Sequence, residues 1–291
     1  MKLKSDITIS FNVEKDAYEF DFSQSKKVGK ITSRLFPILL GKNGFNGIGY
    51  GILDRVGFLE REEIDPYYTV RGAVGEYMVN LFIIDSYKKR GIDIVTKQFS
   101  SMISYDGGRT FYGNDLFKKN ERFGGVVDIG ISSPDEYRAT IEVKSKSMKD
   151  LEYIITKNYV PEEEILQGLQ LAYLSNSTKL LMVYIFFTPK QEENLKLLVP
   201  TIKNVNNFDI KELVDGLRWE LKDFTIKPIP YKVDRQQVEK DMEQAYTTLH
   251  TTVESGIIPR EYFREKEIEY LNDMANYEEH KPITDDSDLP Y

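Results

Sequence analysis

The chain has 291 residues, a net charge of −8 at pH 7 and no cysteine. That length supports one large domain or two modest ones with a substantial core, and the absence of cysteine excludes disulfides, cysteine-held zinc and iron–sulfur clusters. With two histidines, His250 and His280, a metal would have to be held by oxygen ligands, which points to Mg2+ or Mn2+.

The charge is unevenly spread. Residues 234–291 carry 6 Lys/Arg and 15 Asp/Glu, a net of −9, which leaves +1 on residues 1–233. The body is therefore free to form a basic groove despite the acidic total. The longest apolar run, Leu180 to Phe187, suits a buried strand and falls well short of the ~20 residues of a membrane span. The opening Met1-Lys-Leu-Lys-Ser-Asp lacks the apolar stretch of a secretion signal, so a cytoplasmic location is expected.

Taken in chain order, Ile7 to Phe22 alternates in part (Ile7, Ile9, Phe11, Val13) and predicts a strand or hairpin. Thr32 or Ser33 is placed to cap a short helix carrying Leu35, Ile38 and Leu39 inward. Gly41 to Gly51 reads as a glycine-rich loop without the spacing of a phosphate-binding P-loop. Val70 to Arg90 has helical spacing (Val74, Met78, Leu81, Phe82), with Gly91 as its stop. Strands are expected over Ile92–Phe99, Gly124–Ile131 and Tyr137–Lys144, then a helix over Glu162–Leu174 and an apolar strand over Lys179–Phe187. Trp219 reads as core, and Tyr105, Arg109, Phe111 and Tyr112 as a packed surface loop. Asp234–His250 predicts a further helix. The order predicts an α/β fold: a central mixed sheet flanked by helices, with a helical C-terminal extension and an acidic tail. The expected boundaries are 1–233 for the main domain, 234–276 for the helical extension and 277–291 for the tail.

One constellation carries chemistry. Residues two apart on a strand face the same side, so Glu142 and Lys144 point together while Val143 enters the core. Asp128 lies in the apolar, glycine-flanked run Gly124-Gly-Val-Val-Asp-Ile-Gly-Ile131, where a solvated acid is not expected. Two carboxylates and an ammonium in one small space are explained by a divalent cation, which neutralises the acids, binds a phosphate oxygen and acidifies a bound water. The lysine can then orient or deprotonate that water. Lys146 and Lys149 extend the basic edge toward backbone phosphates.

The order helix-Glu76, strand-Asp128, strand-Glu142-Val143-Lys144, helix-Gln167 resembles the PD-(D/E)XK nuclease superfamily. Within it the chain resembles the phage lambda exonuclease, YqaJ and RecB-like branch over roughly residues 30–189. Gly29-Lys-Ile-Thr-Ser-Arg34 is similar to that branch's ITAS segment, though Thr32 directly precedes Ser33. Arg71-Gly-Ala-Val-Gly-Glu76 is similar to its WGxxxE helix, and Leu166-Gln-Gly-Leu-Gln-Leu-Ala-Tyr173 to its glutamine helix. The resemblance implies a restriction-endonuclease-like core and a Mg2+- or Mn2+-dependent deoxyribonuclease. Asp128, Glu142 and the Val143 carbonyl would bind the metal, and Glu76 a second one. Lys144 would position the attacking water, Gln167 (or Gln170, one turn on) would steady Lys144 or the phosphate, and Ser33 and Arg34 would hold a 5′-phosphate.

The implied activity is exonuclease action, 5′ to 3′ on double-stranded DNA ends, in phage-type recombination or replication inside a bacterial host cell. The related phage enzymes are ring trimers, so a homo-oligomer is expected. The rivals are a sequence-specific restriction-type endonuclease and an inactive DNA-binding adaptor of the same fold. The last residues, with Asp285, Asp286, Asp288, Leu289, Pro290 and Tyr291, resemble the acidic tip of bacterial single-stranded-DNA-binding proteins. They are expected to dock on a single-strand-binding or annealing partner network through charge steering and a small apolar plug.

Overall fold

The computed structural model describes residues 1–24, 28–60, 63–92, 95–98, 116, 120–133, 136–157, 159–205 and 208–279. The loop with Tyr105, Arg109, Phe111 and Tyr112, and the tail residues Asp285 to Tyr291, lie outside them. In chain order the main elements are β1 (Ile9–Asn12), β2 (Ala17–Phe20), β3 (Ile31–Thr32), α1 (Leu35–Leu39), α2 (Ile48–Val56) and α3 (Pro66–Lys88). They continue with β4 (Val95–Gln98), β5 (Phe123–Gly124), β6 (Ile129–Ser133), β7 (Glu136–Ser147), α4 (Glu162–Leu174), β8 (Lys179–Phe187), α5 (Pro189–Leu198) and α6 (Ile210–Gly216). The last are β9 (Thr225–Lys232), α7 (Arg235–Ser255), β10 (Ile257–Pro259) and α8 (Glu265–Glu279). Among the described residues no helix is long and apolar enough to cross a membrane.

Two compact units form. The first gathers residues 1–29, 37–61 and 243–291; the second holds 30–36 and 62–242. The first unit is built on a three-stranded antiparallel sheet, β1-β2-β10. Its core includes Tyr18, Phe20, Ile52, Leu53, Phe58, Ile258, Phe263 and Leu271, and the Tyr18 hydroxyl donates to Asn272 Oδ1 at 2.6 Å. The glycine-rich stretch is only partly loop: from Ile48 it is helix α2. A Cβ at Gly49 would come within 2.3 Å of the Phe263 ring. The glycine is there for close packing in a helix, and that reason is invisible in local sequence.

The second unit holds a five-stranded mixed sheet in the order β4-β6-β7-β8-β9. β7 and β8 run parallel, with Glu142 opposite Met182 and Lys144 opposite Tyr184; β4–β6, β6–β7 and β8–β9 pair antiparallel. This is the expected α/β architecture. One face of the sheet carries Ile129, Ile141, Val143, Val183, Ile185 and Phe187 against Val70, Val74 and Met78 of α3. Trp219 packs at the border of this cluster, edge-on to Phe187 and Phe224. The other face receives α4.

α3 begins four residues earlier than the apolar spacing predicts. Pro66 occupies the first helical position, where a missing N–H costs nothing, and the Asp65 side chain accepts from Tyr67 N at 2.9 Å. The helix lies so close to β7 that a Cβ at Gly75 would fall 2.0 Å from Ser145 Oγ, whereas one at Gly72 meets nothing within 4 Å. Gly75→Ala is expected to push α3 off the sheet at a cost of about 1–3 kcal/mol. Gly72→Ala is expected to stabilise by up to about 1 kcal/mol through helix propensity. Chemical denaturation of the two variants checks the contrast, and equal effects would mean that α3 is not pinned at Gly75.

Candidate active site

The hairpin of β6 and β7 brings the predicted acids together. Ile129 is paired with Ile141 in an antiparallel ladder, so Asp128, one residue earlier, sits opposite Glu142. Asp128 Oδ2 accepts a hydrogen bond from Val143 N at 2.7 Å, which fixes the carboxylate beside the strand. Glu142 is 7% exposed. Its Oε1 accepts from Lys144 Nζ at 3.0 Å, and its Oε2 is buried with no hydrogen-bond partner. Lys144 Nζ also donates to Gln167 Oε1 at 2.9 Å, from α4 across the sheet face. Glu76, half-buried on α3, lies near enough for its charge to bear on Asp128.

The electrostatics are those of an acid pair short of positive charge. Burial, then the charges of Glu142 and Glu76, push the Asp128 carboxyl well above its ordinary value; the Val143 N–H and Lys144 oppose the shift without cancelling it. For Lys144, burial acts to lower the pKa, but the charges of Glu142, Asp128 and Glu164 and the hydrogen bond to Glu142 outweigh it and hold the ammonium above its ordinary value. Lys144 is therefore held as a donor that can orient a water.

A divalent cation fits this arrangement. The donors are all oxygen, one buried carboxylate oxygen lacks a partner, and the Asp128 carboxyl is held in a state that a nearby positive charge would relieve. Among the described residues no three Asp, Glu or His side chains are already gathered round one point. A cation here would take Asp128 and Glu142 with main-chain or water oxygens, not a ready-made side-chain cage.

The other predicted residues divide. Gln167 meets Lys144, whereas Gln170 is fully buried and donates to the Ile31 carbonyl at 3.3 Å, which ties α4 to β3. β3 pairs in parallel with β5 (Ile31 with Phe123, Thr32 with Gly124), so Ser33 runs beside the segment that leads to Asp128. Ser33 is half-buried and Arg34 exposed. Lys149 is exposed. Lys146, expected to reach phosphates, pairs with Glu164 at 2.6 Å.

Several residues around the site gave no sequence signal. Arg71 pairs with Glu192 at 3.1 Å, donates to the Ser145 carbonyl at 3.2 Å and lies over the rings of Tyr67 and Tyr68. These contacts anchor the N-terminal part of α3, upstream of Glu76. Glu164 reads in sequence as one of three acids in a helix's first turn, a pattern that the helix dipole alone explains.

No family model matches the chain, and no curated protein matches it. Solved structures do overlap it in part. An alkaline exonuclease (LHK-Exo) from Laribacter hongkongensis is 13% identical with a TM-score of 0.44, covering 86% of this chain and 95% of that one. A phage related exonuclease from Haemophilus somnus 129PT is 13% identical with a TM-score of 0.45, covering 79% and 95%. LHK-Exo in complex with dAMP is 11% identical with a TM-score of 0.42, covering 86% and 95%.

Proposed function

We propose that this chain is a metal-dependent deoxyribonuclease of the PD-(D/E)XK superfamily, an exonuclease working 5′ to 3′ on double-stranded DNA ends in phage-type recombination or replication. The observation that supports it is the convergence of Asp128, Glu142, Lys144 and Gln167 from two paired strands and a helix, in the chemistry that phosphodiester hydrolysis needs. Mg2+ or Mn2+, held by Asp128, Glu142 and the Val143 carbonyl, with Glu76 at a second position, supplies charge neutralisation and an acidified water.

The chain's own groups do the rest. Glu142 and Gln167 take two protons of the Lys144 ammonium, which leaves the third to aim at the attacking water or a phosphate oxygen. Asp128 is fixed by the Val143 N–H, so it does not have to be ordered during reaction. Ser33, beside the Asp128 segment, and the exposed Arg34 are suited to a terminal 5′-phosphate, and Lys149 to the backbone.

Linear duplex with a 5′-phosphate is expected to be degraded in Mg2+, to survive in EDTA, and to be spared as covalently closed circles. Rapid cutting of closed circles at defined sequences would replace the exonuclease reading with the restriction-type one. A homotrimer round the duplex and docking of the tail on single-strand-binding partners complete the proposal. Light scattering tests the first. Pull-downs from bacterial extract, with and without the last four residues, test the second.

A further inference from the structure

One buried carboxylate beside the site has no part in the chemistry above. Glu164, in the first turn of α4, is 8% exposed. Its Oε1 holds Lys146 Nζ at 2.6 Å and its Oε2 accepts from the Tyr184 hydroxyl at 2.6 Å. Tyr184 is fully buried on β8, directly opposite Lys144 of β7. Burial and the Glu164 charge drive its phenol far upward, so it remains a donor.

Lys144 and Lys146 share a strand face, and Glu164 and Gln167, three apart, share a helix face. The result is two parallel bridges from β7 to α4, Lys144 to Gln167 and Lys146 to Glu164, with Tyr184 tying the second to β8. A buried ion pair roughly breaks even against apolar packing, so stability alone does not account for this one. What it supplies is register: α4 cannot slide along β7 without breaking it.

We infer that Glu164 is a positioning residue for the reaction proposed above. By gripping Lys146 and Tyr184 it fixes α4 where Gln167 meets Lys144. The inference rests on the nuclease reading.

The first test does not need activity. In protein labelled with 15N at lysine side chains, ammonium groups held in hydrogen bonds give observable signals, assigned by Lys144→Arg and Lys146→Arg. Glu164→Gln is expected to abolish the Lys146 signal and broaden that of Lys144; both signals intact would overturn the clamp.

The second test is kinetic. Glu164→Gln should lower kcat on the order of 10- to 100-fold, the effect of misplacing a catalytic group by a fraction of an ångström to an ångström. KM for DNA should stay within about twofold, because no contact with DNA is removed. In a Gln167→Ala background the same change should matter by less than about twofold, since both act on one geometry. An undiminished kcat loss in that background, or a change confined to KM, would refute the role. If Glu164→Gln does not fold, Tyr184→Phe keeps the ion pair and removes the tie to β8. It is expected to give a smaller kcat loss that again vanishes with Gln167→Ala. A wild-type protein that cuts no DNA removes the nuclease reading while leaving the lysine signals to decide the clamp.

Discussion

Asp128→Asn is expected to abolish DNA hydrolysis, by on the order of 10³-fold or more, which corresponds to about 4 kcal/mol of lost transition-state stabilisation. The same change is expected to raise the melting temperature of the metal-free protein at neutral pH. Both follow from one arrangement. The carboxyl is pushed up by burial and by Glu142 and Glu76, so its ionised form burdens the folded state. Asparagine is neutral and still offers an oxygen to the Val143 N–H. Removing the repulsion is expected to stabilise by about 1–2 kcal/mol, or a few degrees in Tm. Loss of activity with gain of stability is the mark of a residue placed for function; a structural residue would show the reverse. Glu142→Gln and Lys144→Ala should be comparably inactive. A hydrolysis assay with purified variants and a thermal melt in EDTA decide the matter: wild-type cutting by Asp128→Asn sinks the site assignment, and a lowered Tm sinks the electrostatic account of it.

The acid pair and its lysine were legible in the sequence because a strand has period two. Given Glu142 and Lys144 on one face and an acid in a glycine-flanked apolar run, only the register of the hairpin was missing, and Ile129 opposite Ile141 supplies it. The choice between Gln167 and Gln170 was not legible. Both lie on one helix and both are glutamine; what separates them is that Ile31 offers a carbonyl to one and Lys144 an ammonium to the other. Glu164 was hidden because its two partners, Lys146 and Tyr184, come from two different strands. The first unit was hidden for a similar reason. Its sheet joins residues 17–20 to 257–259, a pairing with no local signature, and Gly49 makes sense only beside Phe263.

A divalent cation should stabilise this protein more as pH rises. Without one, the folded chain holds a proton at Asp128 more tightly than the unfolded chain does. The stability due to that group is therefore fully present below the ordinary aspartate pKa of about 3.9 and is lost as pH climbs through the raised folded-state value. Above that value Asp128 is ionised beside Glu142, whose Oε2 is unpartnered, and a cation binds most strongly where no proton competes for the same oxygens. At a concentration 100 times its Kd, bound cation contributes about 2.7 kcal/mol, a rise of several degrees in Tm. The rise on adding Mg2+ or Mn2+ is expected to be smaller at pH 5 than at pH 8, and reversed by EDTA. Other carboxylates also titrate over this range, so the comparison that isolates the site is with Asp128→Asn, where the rise should shrink and lose most of its pH dependence. Thermal melts at both pH values, with and without cation, give the answer. A rise of equal size at pH 5 and pH 8, or one undiminished in Asp128→Asn, would mean that the cation binds somewhere other than between β6 and β7.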